Sequence, residues 1–217
     1  MDTHERQILY FADPMCSWCW GFSPVISDIV GRYGNRAGIS LVVGGLRAGN
    51  TVPMSGEMRA EILNHWRHVI ELTGQKFSFD GALPDGFVYD TEPPCRAVVS
   101  IRELDQAATF RYFRSIQEAF YVRQLDVTGS EVLADLAEAQ GIVREQFQET
   151  FESPVSKEKT VAEFRFTQRL GVGGFPSVVL KDAHGMRLLT SGYQPLDRLT
   201  PHLEQWFMEP GVDRSDP

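Results

Sequence analysis

"DPMCSWCWGFSP", Asp13–Pro24, places two cysteines three positions apart, puts tryptophans inside and beside the pair, and brackets it with prolines. Such a pair is a redox dithiol, half of a metal site, or two packed thiols. What lies on either side narrows the choice. Before it, "QILYFAD" (Gln7–Asp13) is a continuous apolar run of strand length that ends on the turn-forming dipeptide Asp13-Pro14. After it, Phe22, Val25, Ile26, Ile29 and Val30 recur at helical spacing, and Gly31 and Gly34 loosen and end that helix. The pair therefore sits where a strand hands over to a helix. There the first sulfur, Cys16, meets unpartnered backbone N–H groups and the positive end of the helix dipole, which favour a thiolate. Cys19 lies one turn deeper, placed to close a disulfide on a mixed-disulfide intermediate. Zinc requires four ligands, and the chain has no second Cys-x-x-Cys; His65 and His68, a helical step apart, read as a polar face. The pair reads as redox-active, with no metal.

Outward from the pair, "ISLVVGG" (Ile39–Gly45) is a second buried strand, and strand, helix, strand in about forty residues is a right-handed βαβ unit with parallel strands. Residues 57–170 then read as helix after helix. Met58, Ile62, Trp66, Val69 and Ile70 form one stripe closed by Gly74, and Pro93 and Pro94 open a helix near Cys95. Phe110, Phe113, Ile116, Phe120 and Tyr121 form another stripe. Ser130 is the expected N-cap of the next helix, with Gly141 as its stop. Val161, Phe164 and Gln168 share a face of the last one, which Gly171 ends. Strand character returns in "PSVVLKDAHGMRLLTSG", two β runs around a hairpin signal, and Leu199, Leu203, Trp206 and Phe207 mark a final helix. Thr200-Pro201 is either the start of that helix or a kink within a longer one. The tail "EPGVDRSDP" is expected to fray. The order is βαβ, a helical block, then ββα.

Composition sets the class. The 217 residues are 42% hydrophobic and 23% charged, ordinary for a globular chain, with a formal net charge of −8. With no basic block to displace phosphate counterions, nucleic acid is not an expected partner. No apolar run approaches the roughly 18 residues of a spanning helix, so no membrane association is expected. The start "MDTHERQILYFAD" has no basic region followed by an apolar one, so the chain is expected to remain in the cytoplasm. Three cysteines are too few, and odd in number, for a secreted disulfide scaffold.

A second stretch, "GVGGFPSVVL" (Gly171–Leu180), leads through glycines to Phe175-Pro176 and into a strand. Read alone, Pro176 is equally a plain strand-start proline or a functional one. Together with the dithiol stretch and the element order it resembles a known family: the thioredoxin-fold thiol-disulfide oxidoreductases of the DsbA type, in their FrnE-like cytoplasmic subgroup. That group is similar in turn to 2-hydroxychromene-2-carboxylate isomerases and kappa-class glutathione transferases. "DTEPPCRAV" and "DVTGSEVLADLAE" are weaker matches. The resemblance implies an α/β thioredoxin-like fold, residues 6–50 and 171–208, with an inserted all-helical subdomain at 51–170. It implies that Pro176 follows a cis peptide bond and lies against the dithiol. It implies a protein-disulfide oxidoreductase or isomerase in which Cys16 attacks and Cys19 resolves, acting on a disulfide-containing protein or a small-molecule thiol. No cofactor beyond the redox-active disulfide is expected, with glutathione as a possible co-substrate. A glutathione-dependent isomerase or transferase is the competing reading. The intervening Ser17-Trp18 departs from the Pro-His of periplasmic DsbA and, with no leader, points away from a strong periplasmic oxidant.

Further candidates are less settled by the residues alone. Ser17, Trp18, Trp20 and Phe175 are expected to meet substrate, although Trp20 could equally be core. Asp13 either takes the proton of Cys19 or caps the turn, capping being favoured. Cys95 is either an inert small hydrophobe or, as the family places this helix near the site, a third redox thiol.

Overall fold

After Gln7, every residue of Gln7–Ala12 is apolar, so a strand built from it must be covered on both faces. In the computed structural model, which describes residues 6–209, that segment is the inner strand β1. Ile8, Tyr10 and Ala12 point into the main core, whereas Leu9 and Phe11 join a smaller cluster with Val42 and Val179 on the opposite face. The remaining strands are β2 (Gly38–Val43), β3 (Ser177–Asp182) and β4 (Gly185–Ser191). Their spatial order is β2-β1-β3-β4, with β1 parallel to β2 and antiparallel to β3, and β3 antiparallel to β4. This is the expected βαβ unit joined to a ββα unit. The N-terminal residues on which the cytoplasmic reading partly rests, and the tail beyond Glu209, lie outside the described residues.

Helix α1 (Ser17–Tyr33) connects β1 to β2, and Gly34 follows as its C-cap. It buries Phe22, Val25, Ile26 and Ile29, each worth about 1.5–3 kcal/mol when fully removed from water. Pro24 lies inside this helix and has no N–H for the carbonyl four residues earlier, that of Trp20. Gln75 supplies the missing donor: its Nε2 donates to the Trp20 carbonyl at 2.9 Å and to Ser23 Oγ at 2.7 Å. A defect in one helix thereby anchors the loop that follows the next.

Between β2 and β3 run α2 (Gly56–Thr73), α3 (Glu92–Leu104), α4 (Thr109–Tyr121), α5 (Ser130–Glu138), α6 (Arg144–Glu152) and α7 (Pro154–Arg169). The helix α8 (Leu196–Met208) closes the described chain. A single hydrophobic cluster runs from Ile8 through Trp66 and Tyr121 to Leu136 and Trp206, so the helical block shares one core with the sheet. One local expectation is corrected, and one open alternative is decided. Ser130 is the first residue of α5 and makes no capping bond; Gly129 holds the N-cap position. Of the two readings of Thr200-Pro201, the structure has the second: the pair lies inside α8, and the Thr200 hydroxyl donates back to the Leu196 carbonyl at 2.8 Å. Among the described residues, no helix is long and apolar enough to cross a membrane.

Candidate active site

Cys16 occupies the N-cap of α1 with extended backbone angles, φ −85° and ψ 116°. A serine or aspartate there would turn its oxygen onto the first helical N–H groups; the Cys16 side chain makes no such bond, and no acidic residue follows in the first turn. Its amide donates to the Asp13 carbonyl at 3.1 Å, which closes the Asp-Pro turn. The sulfur points across to the other half of the fold, where Cys16 Sγ donates to the Phe175 carbonyl at 3.5 Å. That carbonyl immediately precedes Pro176, and the Phe175-Pro176 bond is cis, as the resemblance implied. Two segments about 160 residues apart in sequence meet at one sulfur.

Cys16 retains 6% exposure and Cys19 none, so only the first thiol reaches the surface. All three cysteines are free thiols. Burial holds the Cys19 thiol well above its ordinary range, and its hydrogen bond and charge interaction with Cys16 push the same way; a hydrogen bond with the Asp13 backbone pulls against them. The charge of Asp13 also raises it, so the ionisable groups that act on Cys19 are anionic when ionised.

Asp13, itself fully buried, ties the turn to its surroundings. Oδ1 accepts from the Met15 amide at 2.8 Å and Oδ2 from the Leu46 amide at 2.7 Å. Burial raises its carboxyl, while the two backbone bonds lower it. These bonds are those of a cap. Cys95, in the first turn of α3, is completely buried and directs its thiol at Asp13 Oδ2 at 3.6 Å. Burial and the Asp13 charge hold that thiol well above its usual range. Cys19 and Cys95 therefore both feel the Asp13 charge from completely buried positions, whereas Cys16, facing the Phe175 carbonyl, is the thiol with a path to substrate.

Trp18 is half-buried at the rim, edge-on to His68 and tilted against Tyr193. Ser17 beside it is also partly exposed. Trp20 is not a rim residue: at 4% exposure it donates from Nε1 to the Lys76 carbonyl at 2.9 Å and stacks on Tyr121 of α4. One helical turn separates the sulfurs, and the alternation that leaves Trp18 outside turns Trp20 into the helical block.

Sequence reasoning missed the pair Gly44-Gly45 that ends β2. A Cβ on Gly44 would lie 2.0 Å from the Phe175 ring, and one on Gly45, whose φ is +67°, would lie 2.8 Å from Phe164. The Gly44 amide donates to the Ala12 carbonyl at 2.8 Å. The bare backbone is the seat of Phe175 and so of the carbonyl facing Cys16. The signal was the doubled glycine after "VV", which reads as a strand end unless its partner is known. Also missed was a group of buried phenols below the site. Tyr89 donates to the Met15 carbonyl, Tyr121 lies beside Tyr89, and Tyr10 lies beneath Cys19.

The profile of the DSBA-like thioredoxin domain matches residues 7–204. The chain belongs to this family. Among DSBA-like structures it is similar to a candidate protein disulfide isomerase from Nitrosomonas europaea, with a TM-score of 0.87 and 42% identity over 93% of this chain and 97% of the other. It is similar as well to the cytosolic disulfide reductase DsbM from Pseudomonas aeruginosa, with a TM-score of 0.79 and 31% identity over 94% and 100% of the two chains. A solved structure of that reductase with GSH is similar too, with a TM-score of 0.76 and 29% identity over 92% of this chain and 98% of the other. Among curated proteins, the ClpXP adapter protein SpxH of Halalkalibacterium halodurans is 24% identical over 177 residues, 80% of this chain. The matched DSBA-like region spans 58% of that relative's length. Among the described residues, no group of three or more histidine, cysteine, aspartate or glutamate side chains is placed to hold a metal ion.

Proposed function

We propose that this chain is a thiol-disulfide oxidoreductase working through Cys16 and Cys19, in the cytoplasm and in the reducing direction. The observation that carries the reading is the asymmetry of the pair: one sulfur at the open end of α1 facing the carbonyl before Pro176, the other completely buried a turn below. In the reducing direction the Cys16 thiolate attacks a substrate disulfide, R–S–S–R′. A Cys16–S–S–R bond forms and R′S⁻ leaves. Cys19 then loses its proton and attacks Cys16 Sγ, RS⁻ leaves, and the two departing thiolates take up protons. The enzyme pair is oxidised by two electrons and the substrate disulfide is reduced to two thiols. Glutathione is the proposed electron donor that returns the pair to its dithiol form, and the GSH-bound structure of the similar reductase supports a small thiol at such a site.

Direction follows from electrostatics. A disulfide is strongly oxidising when its reduced form is stabilised, as in DsbA. Here the ionisable groups acting on Cys19 are anionic when ionised, and Ser17 and Trp18 bring no cation between the sulfurs. A thiolate without a cation beside it gives a less oxidising pair. An extended peptide would lie across Cys16 beside Trp18 and Phe175, with Pro176 immediately before β3. A glutathione transferase or isomerase on this scaffold has no use for a buried second thiol, so Cys19 favours the redox reading.

Insulin reduction with glutathione as the electron source tests it. The parent should accelerate precipitation of the reduced insulin B chain, and Cys16→Ser should abolish the acceleration. Equal rates for the two proteins would defeat the proposal.

A further inference from the structure

The mechanism above gives Cys19 a difficult step, because a completely buried thiol must become a thiolate with Asp13 close by. Beneath it lies a group with no other employment. Tyr10 is in the middle of β1, paired with Leu41 of β2 on one side and Val178 of β3 on the other, and is wholly buried. Its ring is held by Phe22 of α1, at 5.8 Å between centroids, and edge-on by Phe113 of α4, at 6.2 Å. Its hydroxyl is buried and makes no well-formed hydrogen bond. A buried hydroxyl left so is costly, and nearly all such groups in folded proteins are satisfied. The groups acting on Tyr10 are the sulfurs of Cys19 and Cys16, with Cys19 close enough for its sulfur to interact directly with the phenol.

Resting on the dithiol reading above, we infer that Tyr10 is a catalytic hydrogen-bond donor: its phenol turns to the Cys19 sulfur when that sulfur becomes a thiolate and holds it for attack on the mixed disulfide. The phenol keeps its proton throughout, since burial and the neighbouring sulfurs raise it well above its ordinary range. The Cys19 proton goes to the departing thiolate, and Tyr10 contributes only the stabilisation of charge. With the Asp13 backbone as second partner, the thiolate then has two hydrogen bonds to set against burial and the Asp13 charge. The other titratable groups around the site act elsewhere. Tyr89 and Tyr121 bear on Asp13 and Cys16, and Cys95 bears on Asp13.

Ellman's reagent separates the two chemical steps in one trace. Cys16 releases one equivalent of chromophore on forming the mixed disulfide, and Cys19 releases a second on resolving it. Tyr10→Phe removes only the hydroxyl. The expected result is an unchanged first phase and a second phase slowed about tenfold or more, with its pH inflection moved upward by about one unit, the scale of one hydrogen bond to a charged group. Replacing Tyr10 with 3-fluorotyrosine, which retains a donor, should restore the second phase. The first phase reports that the variant is folded. A second phase of unchanged rate and inflection in Tyr10→Phe would overturn the inference and leave the dithiol reading standing. Equal slowing of both phases would overturn it too, because the hydroxyl would then serve the fold alone. A parent with no second phase, or one that persists in Cys19→Ser, would overturn both.

Discussion

Replacing Asp13 with alanine removes the acceptor of two backbone N–H groups at once, those of Met15 and Leu46, held at 2.8 and 2.7 Å. A buried donor stripped of its partner costs roughly 1–3 kcal/mol, so the two together come to about 2–6 kcal/mol. Against that, burial disfavours the carboxylate and raises its pKa, so its removal returns part of the loss. The expected net destabilisation is about 2–4 kcal/mol. At about 2–4 °C per kcal/mol for a chain of this size, Tm should fall by about 4–16 °C. The pH dependence carries a sign. Because the folded pKa is raised, the folded state holds the Asp13 proton where the unfolded state has released it. The parent therefore has this stabilisation in full below the unfolded value of about 3.9 and loses it as pH rises through the folded one. Thermal unfolding of the reduced parent, Asp13→Ala and Asp13→Asn at several pH values measures both effects. Asn, keeping one acceptor, should fall between the other two, and the alanine deficit should shrink as pH rises from the acid side. A variant within about 2 °C of the parent, or a deficit that widens with rising pH, would refute the reasoning.

Two other outcomes follow from the same geometry. Gly44→Ala puts a carbon 2.0 Å from the tip of the Phe175 ring, where carbon atoms prefer about 3.5–4.0 Å, so the ring must swing by at least about 1.5 Å. We expect a stability loss of about 1–3 kcal/mol and slower insulin reduction, both partly recovered by adding Phe175→Leu; strictly additive effects would show that the contact is not what Gly44 protects. The second outcome concerns alkali. Burial raises the thiols of Cys19 and Cys95 and the phenols of Tyr10, Tyr89 and Tyr121. Their stabilisation is complete below the unfolded values, about 8.5 for thiols and 10 for phenols, and is lost as pH rises above them. The urea midpoint of the reduced protein should therefore fall from about pH 8.5 upward, and a Cys19→Ser, Cys95→Ser double variant should lose the first part of that fall. A midpoint flat to pH 11 in the parent would contradict the burial of these groups.

The parts of the fold that obey a local rule were legible in the residues. A doubly covered strand reads as an unbroken apolar run, and Gly34, Gly74 and Gly171 stood where helices ended. The dithiol declared itself because its chemistry needs both the strand before it and the helix after it. Less was legible where two distant segments decide the outcome. Tyr10 could be placed on the same side of β1 as Ile8 and Ala12, but which side α1 covers is a tertiary fact. Trp18 and Trp20 look alike in sequence, and only the rotation of α1 sends one to the rim and the other into the helical block. Gly44 requires a partner 131 positions away to be understood. The boundary between α6 and α7 was marked locally, by Ser153, whose hydroxyl accepts from the Ser156 amide at 3.1 Å, and by Pro154 after it.

The central claim, that Cys16 attacks and Cys19 resolves, is tested most directly by mapping where a disulfide substrate leaves its mark. Reduced parent and Cys19→Ser are exposed to oxidised glutathione at neutral pH, quenched with acid, and digested for mass spectrometry. The parent should return Cys16 joined to Cys19 with Cys95 still a free thiol, and Cys19→Ser should hold one glutathionyl group on Cys16. Glutathionylation of Cys95 in preference to Cys16, or no disulfide between Cys16 and Cys19 in the parent, would contradict the account.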